Sequence, residues 1–265
     1  MTIYIHIGAQ KTGSTTLQQA VFNNKEHLLK SGLLYPDVLP GDSNKVSHYN
    51  SVRGLFSENA AEVYETKQFF KSIEGFSGDI LISAENLSNW PAVEADMYEA
   101  KKRAALQGLK ELVGGANVKV IFCVRDRVEY LKSLFKQHLK VNKEVSRSVD
   151  QSLHRFLRRE LVRSDFGKEA EMWRDAFGTV SIIDYDRYKR GGLIEAFCGE
   201  IGYGFSDSNV ENKNISPNWA ALEARRIGLS LGPVGVPLDA DKEKAFNEDC
   251  ERFVNSVILD AVNRA

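Results

Sequence analysis

The chain has 265 residues, 43% of them hydrophobic and 27% charged, enough to bury a full core, and a single domain spanning residues 1–265 is expected. Its 35 basic and 36 acidic side chains leave a formal net charge of -1, which excludes a global field holding it on nucleic acid or an anionic membrane, so any anion site has to be local. Three cysteines, Cys123, Cys198 and Cys250, are too scattered for a disulfide framework or a zinc cluster and read as small buried hydrophobes in a reducing compartment.

The N-terminus enters a strand pattern without a basic region and a long apolar run behind it. No later stretch approaches the ~18 uninterrupted apolar residues of a membrane span. A cytoplasmic protein with no membrane insertion is expected. Ile3, Ile5 and Ile7 alternate with Tyr4 and His6, the period of a strand, and the alternation stops between Gly8 and Gly13. From Ser14 the spacing of Leu17, Ala20, Val21 and Leu28 turns helical. Leu33 to Asn50, with Pro36 and Pro40, reads as an irregular excursion.

Further strands are expected at Ile80 to Ser83, Val118 to Val124 and Val180 to Ile183, beside helical patterns at Ala92 to Leu112 and Arg127 to Val141. The later part is richer in helix, at Val149 to Leu161, Asp165 to Phe177, Leu193 to Ile201, Trp219 to Leu231 and Asp241 to Ala265, with a second irregular loop from Gly202 to Pro217. Strands alternating with helices predict an α/β fold with a mostly parallel central sheet covered on both faces.

Between the first strand and helix lies Gly8-Ala9-Gln10-Lys11-Thr12-Gly13-Ser14-Thr15-Thr16, where free backbone N–H groups and the helix dipole attract an anion such as phosphate. Gly8 and Gly13 have the glycine spacing of the Walker loop, but Ser14 stands where its lysine would be, and the lysine comes earlier as Lys11. This arrangement resembles the 5′-phosphosulfate loop of the sulfotransferase family, whose usual form is a lysine, one or two small residues, then Gly-[ST]-[ST]. The resemblance implies a three-layer α/β/α, P-loop NTPase-like fold of the bacterial type. It also implies that Lys11, Thr12, Gly13, Ser14, Thr15 and Thr16 bind the donor 3′-phosphoadenosine 5′-phosphosulfate (PAPS).

A second segment is similar to the same family. After the strand ending at Val124 come Arg125 and a helix carrying Val128, Leu131, Leu134, Phe135 and Leu139 on one face, with Ser133 off that stripe. In the family an arginine at such a strand end and a serine about eight positions later hold the nucleotide 3′-phosphate, which implies Arg125 and Ser133 here. Where relatives commonly have a proline two residues after the arginine, this chain has Arg127. The Tyr185-Asp186 step and the Asn214 and Ser216 segment look like family features too, and Lys213 is a further possible ligand of the 3′-phosphate.

Sulfuryl transfer is an in-line displacement that depends on positioning and charge stabilisation. Lys11, the loop N–H groups and the Thr12, Ser14, Thr15 and Thr16 hydroxyls would neutralise the leaving phosphate oxygen, an effect of roughly 3 kcal/mol per well-aimed donor. The transferred group carries less charge than a phosphoryl group, so no metal is expected.

Two residues are candidates for the base that takes the acceptor proton. Glu85 follows the apolar strand Ile80 to Ser83 and should lie at the carboxyl edge of the sheet, where ligands bind. His48, in Ser47-His48-Tyr49-Asn50, has the right intrinsic pKa. His6 reads as a packed sheet residue or a support for the loop, and Arg53 as a contact for an anionic or hydroxyl-rich acceptor.

The acceptor is expected to be a glycan or small metabolite, held by Leu33 to Asn50, Ala84 to Glu94 and the helices around Phe156 to Trp173. The competing readings are a P-loop kinase-like phosphotransferase, with Asp184 as its Walker-B aspartate, and a nucleotide-binding protein without turnover.

Overall fold

The computed structural model describes residues 1–39, 44–90, 95–141, 149–205, 219, 222 and 240–265. The chain groups into two compact units, Met1–Arg125 with Asp165–Glu211, and Asp126–Ser164 with Asn212–Ala265. The first holds the sheet.

Its strands are β1 (Thr2–Gly8), β2 (Leu33–Leu34), β3 (Asp79–Ser83), β4 (Asn117–Val124) and β5 (Thr179–Asp184), in the order β2-β3-β1-β4-β5. All four pairings are parallel. The register sets Ile5 beside Ile82 on one side and Val120 on the other, and brings Gly8, the last residue of β1, opposite Cys123. The Ala9 N–H then donates to the Cys123 carbonyl at 2.9 Å, so the chain leaves the sheet one residue beyond the ladder.

The helices of this unit are α1 (Ser14–Asn23), α2 (Lys25–Lys30), α3 (Tyr49–Val52), α4 (Ala60–Ile73), α5 (Asn86–Asn89), α6 (Ala95–Leu112), α9 (Phe166–Phe177), α10 (Tyr185–Tyr188) and α11 (Leu193–Ile201), with a 3₁₀ turn over Arg53–Phe56. They cover the sheet on both faces. Ile3, Ile5 and Ile7, with Ile80, Ile82, Val118, Val120 and Phe122, pack on Phe69, Phe70 and Ile73 of α4, Leu106 and Leu109 of α6, and Met172 and Trp173 of α9. The alternate residues Tyr4, Leu81, Ile121, Cys123 and Ile183 pack on Leu17, Ala20 and Val21 of α1 and on Ile194, Phe197 and Ile201 of α11. This three-layer α/β/α arrangement explains why the central strands read as nearly continuous apolar runs.

Most expected elements of this unit appear within one or two residues of their predicted ends. β2 lies inside the stretch read as irregular, because two residues carry no periodicity to detect. Helix α4 lies where no helix was assigned. Its signal is an Asn59 cap, whose side chain accepts from the Ala61 N–H at 2.9 Å, followed by a buried stripe at Thr66, Phe69, Phe70 and Ile73. Cys123 is buried as expected, whereas Cys198 and Cys250 are only half-buried. Asp184, the Walker-B candidate, caps α10 instead: its carboxylate accepts from the Asp186 N–H at 3.0 Å.

The second unit contains α7 (Arg127–Val141), α8 (Val149–Arg163) and α12 (Ala240–Arg264), together with Trp219 and Leu222. Its core includes Tyr130, Leu131 and Phe135 of α7, Leu153, Phe156 and Leu157 of α8, and Val254 and Ile258 of α12. Arg127 ties α7 to the end of α8: Nε donates to Ser164 Oγ at 3.1 Å and Nη2 to the Leu161 carbonyl at 2.8 Å. That satisfies one of the carbonyls that a helix end leaves unpaired. Of the expected Trp219 to Leu231 helix, only Trp219 and Leu222 lie within the described residues. Lys213, Asn214 and Ser216 lie outside them. Among the described residues no helix is long and apolar enough to cross a membrane.

Candidate functional site

The site is built where β1 ends and α1 begins. A Cβ at Gly8 would stand 2.5 Å from Ser14 Oγ, so a side chain there would displace the Ser14 hydroxyl. The loop then folds over itself. Thr12 is fully buried, its Oγ1 donating to the Ala9 carbonyl at 2.5 Å and lying 3.4 Å from Ser14 Oγ. Lys11 is left-handed at φ 68° and Gly13 at φ 76°, a conformation that disfavours a side-chain-bearing residue by about 1–2 kcal/mol. At Gly13 a Cβ would also meet Leu193 at 2.6 Å.

Gly13 is the N-cap of α1 and makes no side-chain cap bond, and no acidic residue occupies the first turn. The N–H groups of Ser14, Thr15 and Thr16 therefore lack intrahelical acceptors and stand at the positive end of the helix dipole. Ser14 is buried, Thr16 half-buried and Thr15 exposed.

Two neighbouring strands complete this edge of the sheet. From the end of β4, Arg125 donates through Nη1 to the Lys11 carbonyl at 3.2 Å, lies over the Tyr185 ring at 5.5 Å, and approaches Asp186 at 3.8 Å. It thus holds the strained loop residue in place. From the end of β3 comes Glu85. Burial pushes its carboxyl above the usual range, opposed by a hydrogen bond from the Ser14 hydroxyl and by the charge of Lys11. Ser14 and Lys11 are therefore both near enough to act on Glu85. Next to Glu85, Ser88 Oγ donates to the Gly8 carbonyl at 2.7 Å, a loop tether for which the sequence offers no signal beyond a serine near a strand end.

Tyr49 and Arg53 belong to the same surroundings. The Tyr49 hydroxyl is pushed up by burial, pulled down by Arg53, and pushed up again by Glu62 and Glu85. Its ring meets Trp90 edge-on at 5.1 Å, and Trp90 meets Phe56 at 5.7 Å. Arg53 is itself paired with Glu62 at 3.2 Å.

His48, read as a loop histidine, is fully buried beside β3. Its Nδ1 accepts from the Ser83 N–H at 3.0 Å, which leaves Nε2 to donate to the Pro36 carbonyl at 2.9 Å. Both ring nitrogens are engaged within the fold. His6 is also fully buried, with Nδ1 2.7 Å from Ser83 Oγ. Ser83 Oγ in turn accepts from Gln18 Nε2 at 3.1 Å, and the same amide reaches Ser47 Oγ at 3.2 Å. These side chains form a polar floor beneath the loop.

Ser133 lies in the second unit, half-buried on α7. On the same helix Lys132 and Lys136 are paired with Glu251 at 2.6 and 3.4 Å, and Glu251 also accepts from the Trp219 indole at 2.5 Å. Among the described residues no group of three or more His, Cys, Asp or Glu side chains could hold a metal ion.

The family model described as "Sulfotransferase domain" matches residues 4–191, more than half of the chain. No curated protein matches it. Among solved structures, a mouse sulfotransferase complexed with PAP is similar at 14% identity, with 96% of this chain and 88% of that one covered and a TM-score of 0.40. Retinol dehydratase in complex with androsterone and the inactive cofactor PAP is similar at 13% identity, covering 98% and 80%, with a TM-score of 0.42. The PezAT toxin–antitoxin system of Streptococcus pneumoniae is similar at 14% identity, covering 96% and 86%, with a TM-score of 0.32.

The buried floor carries a pH signature. Burial lowers the His6 pKa from 6.5 to about 4, so between those values the unfolded chain binds the extra proton and stability rises with pH. The contribution is complete above pH 6.5 and is lost as the pH falls toward 4. Between pH 7 and about pH 4.5 the wild type should lose about 2.5 kcal/mol more unfolding free energy than His6→Asn. Urea titrations at the two pH values test this, and equal losses in both proteins would contradict it.

Proposed function

The chain belongs to the sulfotransferase family, and on that premise we propose that it transfers the sulfuryl group of PAPS to a hydroxyl of a glycan or small metabolite by in-line displacement. The observation that carries this reading is the meeting of Lys11, Ser14 and Glu85 at the carboxyl edge of β1 and β3. On this reading the cation, the helix-start N–H groups and the carboxylate act on one bound donor and acceptor.

The residues fit the phosphosulfate end of the donor. A Cβ at Gly8 would enter the loop at Ser14, and the amides of Ser14, Thr15 and Thr16 offer donors to an anion. The donor supplies an activated sulfuryl group whose bond to the 5′-phosphate oxygen breaks as the bond to the acceptor oxygen forms. Lys11 and the first-turn N–H groups stabilise the charge left on that phosphate oxygen. Gly13 permits the turn, and the Thr12 hydroxyl, already bonded to Ala9, shapes the loop. Thr15 and Thr16, in the first turn of α1, are assigned as further hydroxyl donors to the donor's phosphate.

Arg125 anchors the 3′-phosphate, and the same role for Ser133 rests on its place in the family pattern. Glu85 is assigned as the base that takes the acceptor proton, because its raised pKa moves it toward neutrality. His48 has both ring nitrogens committed to Ser83 and Pro36, which suits it to holding the loop that leads to Tyr49.

Titration calorimetry with adenosine 3′,5′-bisphosphate in EDTA, against ATP with magnesium, tests the nucleotide assignment. Metal-independent binding of the bisphosphate is expected, and binding of magnesium ATP alone would overturn it. Turnover, measured as bisphosphate released from PAPS in the presence of a panel of sugars and phenols, should fall about a hundredfold or more in Lys11→Ala with the fold intact. Turnover within a few-fold of wild type would remove Lys11 from the chemistry.

A further inference from the structure

Helix α5 is a single turn, too short to persist on its own, yet it carries Glu85 at its N-cap and Ser88, whose hydroxyl holds the Gly8 carbonyl. The rigidity of this turn comes from its other end. There Lys102 of α6, with a side chain 0% exposed, donates through Nζ to the Leu87 carbonyl and, at 3.1 Å, to the Trp90 carbonyl. Its third donor goes to Glu169 Oε1 of α9 at 2.5 Å, so all three ammonium protons are used.

Glu169, 2% exposed, also accepts from the Trp173 indole at 2.7 Å and from the Tyr98 hydroxyl at 3.1 Å. That hydroxyl lies 3.0 Å from the Ser88 carbonyl as well. Phe56, Tyr98 and Trp173 surround the ammonium with ring centroids at 5.5, 5.8 and 5.7 Å.

We propose that Lys102 and Glu169, with Tyr98, are positioning residues for Glu85: they fix the carbonyl end of α5 so that its N-cap carboxylate is held against Lys11 and Ser14. The inference rests on the reading of Glu85 as the base. A buried ion pair is a poor device for stability alone, since apolar residues of similar volume serve at least as well. Here apolar residues would leave the buried Leu87 carbonyl and the half-buried Trp90 carbonyl without the Lys102 ammonium as donor. Burial pushes the Lys102 amine down and the Glu169 carboxyl up, and each is opposed by the other's charge. The pair therefore has to be changed as a unit.

The test is the paired change Lys102→Met/Glu169→Gln, made in the wild type and in Glu85→Gln. Circular dichroism reports folding, calorimetry with adenosine 3′,5′-bisphosphate reports the nucleotide site, and bisphosphate release from PAPS with the sugar and phenol panel reports turnover. In the wild-type background, turnover at saturating donor should fall about tenfold or more while bisphosphate affinity stays within about threefold. In the Glu85→Gln background the same change should lower the remaining turnover less than about twofold, because a residue acting through Glu85 has nothing left to act on.

Equal losses in both backgrounds would show general loosening and overturn the inference, as would unchanged turnover in the first. Full turnover in Glu85→Gln alone would remove the base assignment and this inference together, whereas a defective Glu85→Gln beside a fully active paired variant removes the inference only. Should the paired variant not fold, Tyr98→Phe carries the same comparison, with about a threefold loss expected in the wild-type background and none in Glu85→Gln. A loss in both, or in neither, overturns it.

Discussion

Everything at the site depends on how the chain turns from β1 into α1. The turn starts α1 with no side-chain cap and no acidic residue in its first turn, so the Ser14, Thr15 and Thr16 N–H groups have no intrahelical acceptor. Gly8 makes the approach to Ser14 possible, and Thr12 closes the loop onto Ala9. Lys11 accepts a left-handed backbone, a strain of about 1–2 kcal/mol, against which stands the bond from Arg125 to its carbonyl. Local strain held by surrounding bonds is a common mark of a functional loop. In this protein it places a cation beside Ser14 and Glu85.

Support for that turn comes from beneath and from the side. Beneath it, Ser83 joins His6, Gln18 and His48 into one buried polar network, and Gln18 extends the network to Ser47. His6 Nε2 has no partner in this network, a buried polar atom whose cost the remaining bonds have to offset. From the side, α5 ties Gly8 through Ser88, and α6 and α9 tie α5 through Lys102 and Glu169. The loop thus stands on a sheet whose last residues are cross-linked by side chains, in keeping with the general use of rigid elements to carry precise sites.

Much of this was legible in the residues taken in order. The alternation of Ile3, Ile5 and Ile7 marks β1, the Gly8 to Thr16 stretch marks the loop, and the apolar run ending at Ser83 sets Glu85 at the carboxyl edge of the sheet. Those signals are local, and local periodicity is what a linear reading detects. Long-range pairings left no such trace. Lys102 and Glu169 are far apart in the chain, and each is an ordinary charged residue on an amphipathic helix until the two are buried together.

His48 shows the same limit from the other side. A histidine among small polar residues reads as exposed, and only its contacts with Ser83 and Pro36 reveal a core residue. β2 was hidden by its length, and Cys198 of α11 is half-buried, with Sγ 3.9 Å from the Phe205 carbonyl.

The most direct test of this account is to follow the backbone amide resonances of Gly13, Ser14, Thr15 and Thr16 by NMR as adenosine 3′,5′-bisphosphate is added without metal. If the helix start grips the 5′-phosphate, these four signals should move together with a single saturation curve, and they should be among the largest shifts in the protein. A saturating nucleotide that leaves all four in place would contradict it.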